Sequence, residues 1–179
     1  AATQVRVTVL REDAPVDTFE TEDAVFELPV TLEAGLHQYT LSVSWSDGGG
    51  FWRPVATAED ILCGDVFVID GQSNAVALDY HREGRGDQER NTFVRSFGSS
   101  VTNASAGNDR NFVIAVADRG NTRGAIGQWG LRLANVIKET QNIPVLVING
   151  AFGGTRVEQH LRDDGNPENL DTIYGRLLW

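Results

Sequence analysis

The stretch Asp65-Val66-Phe67-Val68-Ile69-Asp70-Gly71-Gln72-Ser73-Asn74-Ala75 decides how the rest of the chain is read. Its apolar, β-favouring run bounded by acids predicts a buried strand of a parallel sheet. Gly71 ends the strand, and small polar residues follow where a helix can begin. In open α/β sheets, ligands and reactive groups gather at the carboxyl ends of strands. Ser73 placed there exposes its hydroxyl beside backbone N–H groups able to receive negative charge, as a serine nucleophile requires. A plain strand-to-turn junction built from Asn, Ser and Gly fits the same residues. The stretch is not the G-x-S-x-G elbow, because Ala75 stands where the last Gly would be.

Downstream, the pattern repeats. A helix is expected after Gly124-Ala125-Ile126-Gly127, with Trp129, Leu133, Val136, Ile137 and Thr140 along one face at helical spacing. Asn142-Ile143-Pro144 ends it, and Val145–Ile148 is a second buried strand. Asp65–Asp70 and Val145–Ile148 are therefore expected as inner strands of one parallel sheet. A short helix through Ala77–His81, strands at Phe93–Phe97 and Phe112–Ala117, and an apolar helix at Leu170–Trp179 complete this α/β reading. The polar stretch Ser99–Asn111 is long for a loop and reads as a binding rim.

Gly71-Gln72-Ser73-Asn74 after an apolar strand resembles the first block of the SGNH hydrolases, in their sialate O-acetylesterase-like carbohydrate esterase branch. Asn149-Gly150-Ala151-Phe152-Gly153-Gly154-Thr155-Arg156 resembles a second block of that branch. The resemblance runs from about Asp60 to the C-terminus. It implies an SGNH-type (flavodoxin-like) α/β domain, a parallel sheet with helices on both faces. It also implies removal of O-acetyl groups from sugars, of sialate O-acetylesterase or acetylxylan esterase type, without a cofactor. Ser73 would be the nucleophile, and the N–H groups of Ser73, Gly153 and Gly154 the oxyanion hole. Gln72, Asn74, Arg156 and His160 would contact the acetylated carbohydrate. Read on their own, Gly153 and Gly154 also fit a turn that needs positive φ.

A serine nucleophile needs a base, usually a histidine oriented by a carboxylate. The resembled family takes both from an Asp-x-x-His, and no such sequence occurs here. His37 lies in the β-rich segment, at a strand edge or turn. His81 and Asp79 fall on different sides of a helix. His160, after the Gly-Gly-Thr turn, fits a substrate contact or a surface residue. The base is expected from a C-terminal segment or a second chain. The chain stops in the apolar run Leu177-Leu178-Trp179 and reads as incomplete there. The family's Tyr-Gln-Gly-Glu block is also absent.

Ahead of the α/β pattern, Gln4–Leu10 and Gln38–Trp45 alternate strictly, Ala24–Leu32 is a further strand candidate, and a Gly-rich turn leads into Phe51–Val55. Residues 1–57 are expected as a small antiparallel β-sandwich-like accessory domain, and 58–179 as the N-terminal part of the hydrolase domain. Trp45 and Trp52 fit its core, with a sugar-binding face as the alternative.

The 179 residues carry 41% hydrophobic residues and a net charge of −10, which fits a globular chain. That charge disfavours nucleic acid as a partner, and no run is long enough to span a membrane. Three scattered histidines and a single cysteine, Cys63, predict no metal site and no internal disulfide. The leading expectation is a secreted or periplasmic serine carbohydrate esterase. The rival is a non-catalytic carbohydrate-binding or adhesion module that keeps the fold.

Overall fold

The computed structural model describes residues 4–23, 25–78, 85–98, 109–117 and 123–178. The chain divides into two compact units, Ala1–Cys63 and Gly64–Trp179.

The first unit is a four-stranded antiparallel sheet in the order β2-β1-β3-β4. Its strands are β1 (Gln4–Arg11), β2 (Ala14–Thr21), β3 (Tyr39–Ser46) and β4 (Arg53–Ile61). β1 and β3 hold the buried positions Val7, Val9, Tyr39 and Ser46. β4 is exposed along nearly its whole length. The expected antiparallel β-rich unit is present, but its described strands form one sheet and not a sandwich-like pair. Residues 25–32 are not a strand. Their place is taken by β2, which returns from β1 through Glu12 and Asp13, both at positive φ. That two-residue turn matches the right-handed twist of the strands it joins. Because β4 runs on to Ile61, the division between units lies beyond the boundary expected at 57/58.

The second unit is α/β. Its sheet has the order β5-β8-β6-β7, from β5 (Asp65–Ile69), β6 (Val94–Phe97), β7 (Phe112–Ile114) and β8 (Val145–Asn149). β5 and β6 pair parallel with β8, while β7 runs antiparallel to β6. Three α-helices are described: α1 (Ser73–Val76), α2 (Gln128–Gln141) and α3 (Ile173–Leu178). Short 3-10 turns occupy Gly86–Glu89 and Val157–His160.

Two corrections follow from the strand order. A flavodoxin-like order would put the first strand inside the sheet, whereas β5 lies at its edge. Nor is β5 buried on both faces. Phe67 and Ile69 pack into the core with Val94, Val145 and Val147, but Val66 and Val68 on the opposite face are each 60% exposed. An apolar run states that a strand can be buried, not how many of its faces are. Helices on both faces are therefore not what covers β5.

α2 also corrects an expectation. Its inward face is Gly130, Leu131, Ala134 and Asn135, while Trp129, Leu133 and Val136 are 43%, 40% and 39% exposed. The small residues decide this, because they let the helix axis approach the sheet. A Cβ on Gly130 would stand 3.0 Å from Ile69 Cδ1. Asn142 in the left-handed conformation caps the helix, its N–H bonded to the Lys138 carbonyl. Of the expected helix through Ala77–His81, Ala77 is instead the left-handed cap of α1, Leu78 is not helical, and residues 79–81 lie outside the described residues. His81 lies outside the described residues, as does most of the expected rim, residues 99–108.

Candidate active site

α1 is a four-residue helix, far too short to be stable by itself. Its neighbours hold it. Gln72 is its N-cap, in extended backbone, and the Gln72 side chain accepts the Ser73 N–H. Trp129 Nε1 on α2 donates to the Asn74 carbonyl at 2.8 Å. Asn149, at the end of β8, donates through Nδ2 to the carbonyls of Ala75 (3.1 Å) and Ile126 (3.0 Å). Its Oδ1 accepts the Ala151 N–H. The conformation of Ser73 is thus set by α2 and β8 as well as by its own turn.

Parallel pairing continues past the ends of β5 and β8. The Gly150 N–H bonds to the Ile69 carbonyl at 2.9 Å, and the Phe152 N–H to the Gly71 carbonyl at 2.8 Å. The backbone leading into Ser73 therefore runs directly beside the backbone leading into Gly153 and Gly154. Both glycines are exposed, Gly154 has φ +78°, and a Cβ on either would meet nothing within 4 Å. Among the described residues, neither glycine donates a backbone hydrogen bond. Such N–H groups can receive a developing negative charge.

The turn after these glycines is pinned from below. His160 Nδ1 lies 2.7 Å from Asp70 Oδ1, and its Nε2 lies 2.7 Å from Thr155 Oγ1. Thr155 Oγ1 also donates to the Phe152 carbonyl at 2.6 Å. The His160 side chain is 10% exposed, with both ring nitrogens engaged. Asp70 Oδ1 accepts the Gly71 N–H as well. Arg156, the N-cap of the Val157–His160 turn, is exposed, and its N–H donates to Gln159 Oε1. His37 belongs to the other unit, edge-on to Tyr39.

Three residues that shape this site were not singled out by sequence pattern: Asp70, Asn149 and Trp129. The available signal was positional for the first two, which close the strands whose ends meet. For Trp129, assignment to an apolar helix face hid the role of its indole N–H.

A cleft of about 340 Å³ opens beside the glycines, lined by Phe152, Thr155 and Gln159, and by Asp171, Thr172 and Arg176. Burial draws the Arg176 guanidinium below its usual pKa, with the Asp171 carboxylate opposing that shift. Its Nη1 donates to the Leu170 carbonyl at 3.2 Å. Ile173 completes the lining of the cleft.

No protein-family model matches the chain, and neither does any curated protein. Among solved structures, it is similar to a carbohydrate acetylesterase from Xanthomonas citri. Identity is 18%, the TM-score is 0.45, and the match covers 96% of this chain and 40% of that one. The chain thus spans less than half the length of that structure.

Proposed function

We propose that this chain carries the nucleophile and oxyanion donors of an SGNH-type serine esterase that removes O-acetyl groups from carbohydrate. One observation carries the reading. The β5–β8 pairing extends through Gly150 to Ile69 and Phe152 to Gly71, so the Ser73 turn and the Gly153–Gly154 turn are neighbours at the carboxyl ends of parallel strands. In this mechanism, Ser73 Oγ forms a bond to the ester carbonyl carbon while its proton passes to a base. The N–H groups of Ser73, Gly153 and Gly154 hold the oxyanion. The bond to the sugar oxygen then breaks, the sugar leaves with the proton, and water releases acetate from the acyl-serine.

Since His160 is engaged at both nitrogens, the base in this reading is another histidine, supplied by a further segment or a second chain. Gln72, Asn74 and Arg156 flank the crevice as substrate contacts. The cleft at Phe152 and Arg176 accommodates a sugar ring. The subfamily is that of sialate O-acetylesterases or acetylxylan esterases. The Ser73 hydroxyl bonds to Gln72 Oε1 and not to a histidine among the described residues. That contact is what a non-catalytic sugar-binding module would also show.

Acetate release from acetylated oligosaccharides, measured with the segment or chain that supplies the base present, separates the two. The esterase reading expects turnover that falls by about 10³-fold or more in Ser73→Ala. Sugar binding without acetate release, or turnover unchanged in that variant, would overturn it.

A further inference from the structure

Gln72 covers the residue that it precedes. Its Oε1 accepts the Ser73 N–H at 3.0 Å and lies 2.7 Å from Ser73 Oγ, whose proton it takes. That the oxygen of the carboxamide occupies this position follows from the Ser73 N–H, which requires an acceptor. In acyl transfer, the carbonyl oxygen of the ester sits beside the oxyanion donor while the carbonyl carbon stands about 3 Å from the nucleophile. Gln72 Oε1 is itself a carbonyl oxygen on a planar carbon, and it touches both the donor and the nucleophile. A hydroxyl that gives its proton to this amide is also turned away from any base.

We propose that Gln72 is a latch: its carboxamide occupies the acyl-binding place on Ser73 until the acetyl carbonyl of the substrate displaces it. The inference rests on the reading of Ser73 as nucleophile. Three features suit a latch. The interaction is neutral amide to neutral N–H and hydroxyl, so each bond is modest and exchangeable. Among the described residues, the Gln72 side chain makes no other hydrogen bond, and α1 keeps its ties through Trp129 and Asn149 when the cap swings aside. Its replacement is chemically alike, one carbonyl oxygen for another. Once displaced, the carboxamide offers two N–H donors and an acceptor to the hydroxyls of a sugar. The latch thus favours ligands that present an ester carbonyl together with hydroxyl groups.

Two variants, assayed with the segment or chain that supplies the base present, test this in opposite directions. Gln72→Ala removes the latch, and kcat/KM for p-nitrophenyl acetate should rise about five- to tenfold, the equivalent of one to two such hydrogen bonds. Gln72→Glu retains the acceptor and strengthens it with charge, so kcat/KM should fall. A purely structural cap predicts loss in Gln72→Ala, and that result would overturn the latch. A second readout needs no turnover. Hydrogen exchange of the Ser73 amide should be slow in the unaltered chain and fast in Gln72→Ala. A Ser73 amide exchanging freely in the unaltered chain would overturn the latch while leaving the nucleophile assignment standing. Hydrolysis indifferent to Ser73→Ala would instead overturn that assignment.

Discussion

Asp70 Oδ1 and His160 Nδ1 lie 2.7 Å apart across 90 residues of chain, joining the residue that follows β5 to the turn that follows the glycines. Through Thr155, the same imidazole also holds the Phe152–Thr155 segment. The contact is largely shielded from water on the histidine side, so it is worth more than an exposed pair. His160→Ala should cost about 2 kcal/mol, the loss of one charge-assisted and one neutral hydrogen bond. On the esterase reading, activity should fall with it, because the glycine turn then keeps only its backbone bonds to Ile69 and Gly71. Urea unfolding followed by tryptophan fluorescence measures the first effect, and acetate release the second.

Gly127 makes a separate demand on the same site. It stands ahead of α2 with φ +82°, and a Cβ there would lie 2.6 Å from the Val76 carbonyl oxygen and 3.0 Å from Ala77 Cβ. Both neighbours belong to the end of α1. Gly127→Ala therefore combines a left-handed backbone with backbone overlap, and a cost of about 2–3 kcal/mol is expected. Since α1 must move to relieve the overlap, activity should drop by more than the folded fraction does. Gly153→Ala, with open space around it, should leave the melting temperature unchanged, which controls for the substitution itself.

These relationships show which parts of the molecule local sequence can express. Alternation marks β1 and β3: Val7 and Val9 form the buried face of β1, and Tyr39, Leu41, Val43 and Trp45 share one face of β3. β2 escapes that test. It is exposed along most of its length, and its turn of Glu12 and Asp13 carries no glycine or asparagine. The period of α2 is legible, but its inward face is not. Large apolar residues drew the assignment to Trp129, Leu133 and Val136, whereas close approach to Ile69 selects Gly130 and Ala134. Strand order leaves no local trace, so nothing within Asp65–Ile69 states that β5 is an edge. At the candidate site, each strand-and-turn junction is local and readable. The ties from Asp70 to His160 and from Asn149 to Ala75 join distant residues, and only the fold reveals them.

Asp109 gives the second unit an acid-sensitive contact. Its carboxyl is held below the usual range, first by the Asn111 side-chain amide and then by Arg123, with burial opposing. Arg123 Nε lies 2.6 Å from Asp109 Oδ2, and Asn111 Nδ2 lies 2.9 Å from Oδ1. A lowered folded pKa means that the contribution is complete above the unfolded value near pH 4 and is lost as pH falls through the folded value. The Arg123 side chain is exposed and water screens the pair, so the effect should stay under about 1 kcal/mol. Asp109→Asn should be less stable than the unaltered chain at pH 7, and the gap should narrow as pH falls below about 4. A gap that widens with acid would show the opposite sign. Denaturation midpoints taken across that range decide it.

Asn149 is the residue on which the second unit spends most of its polar contacts near Ser73. All three of its side-chain bonds reach backbone groups: two from Nδ2 to Ala75 and Ile126, and one to Oδ1 from the Ala151 N–H. Ala75 lies in α1, Ile126 precedes α2, and Ala151 begins the turn toward the glycines, so one amide ties three segments together. Removing it leaves carbonyls without donors, a greater loss than the bonds themselves. Asn149→Ala should destabilise the chain by about 3 kcal/mol. Asn149→Asp should do worse, although it is nearly the same size. It keeps the acceptor for Ala151 but turns a negative oxygen toward the two carbonyls. The order unaltered, Ala, Asp distinguishes this account from simple loss of packing, in which the isosteric aspartate would be the milder change. Chemical denaturation of the three proteins at pH 7 gives that order. Reversal of the two variants would mean that Asn149 fills space and does not anchor α1.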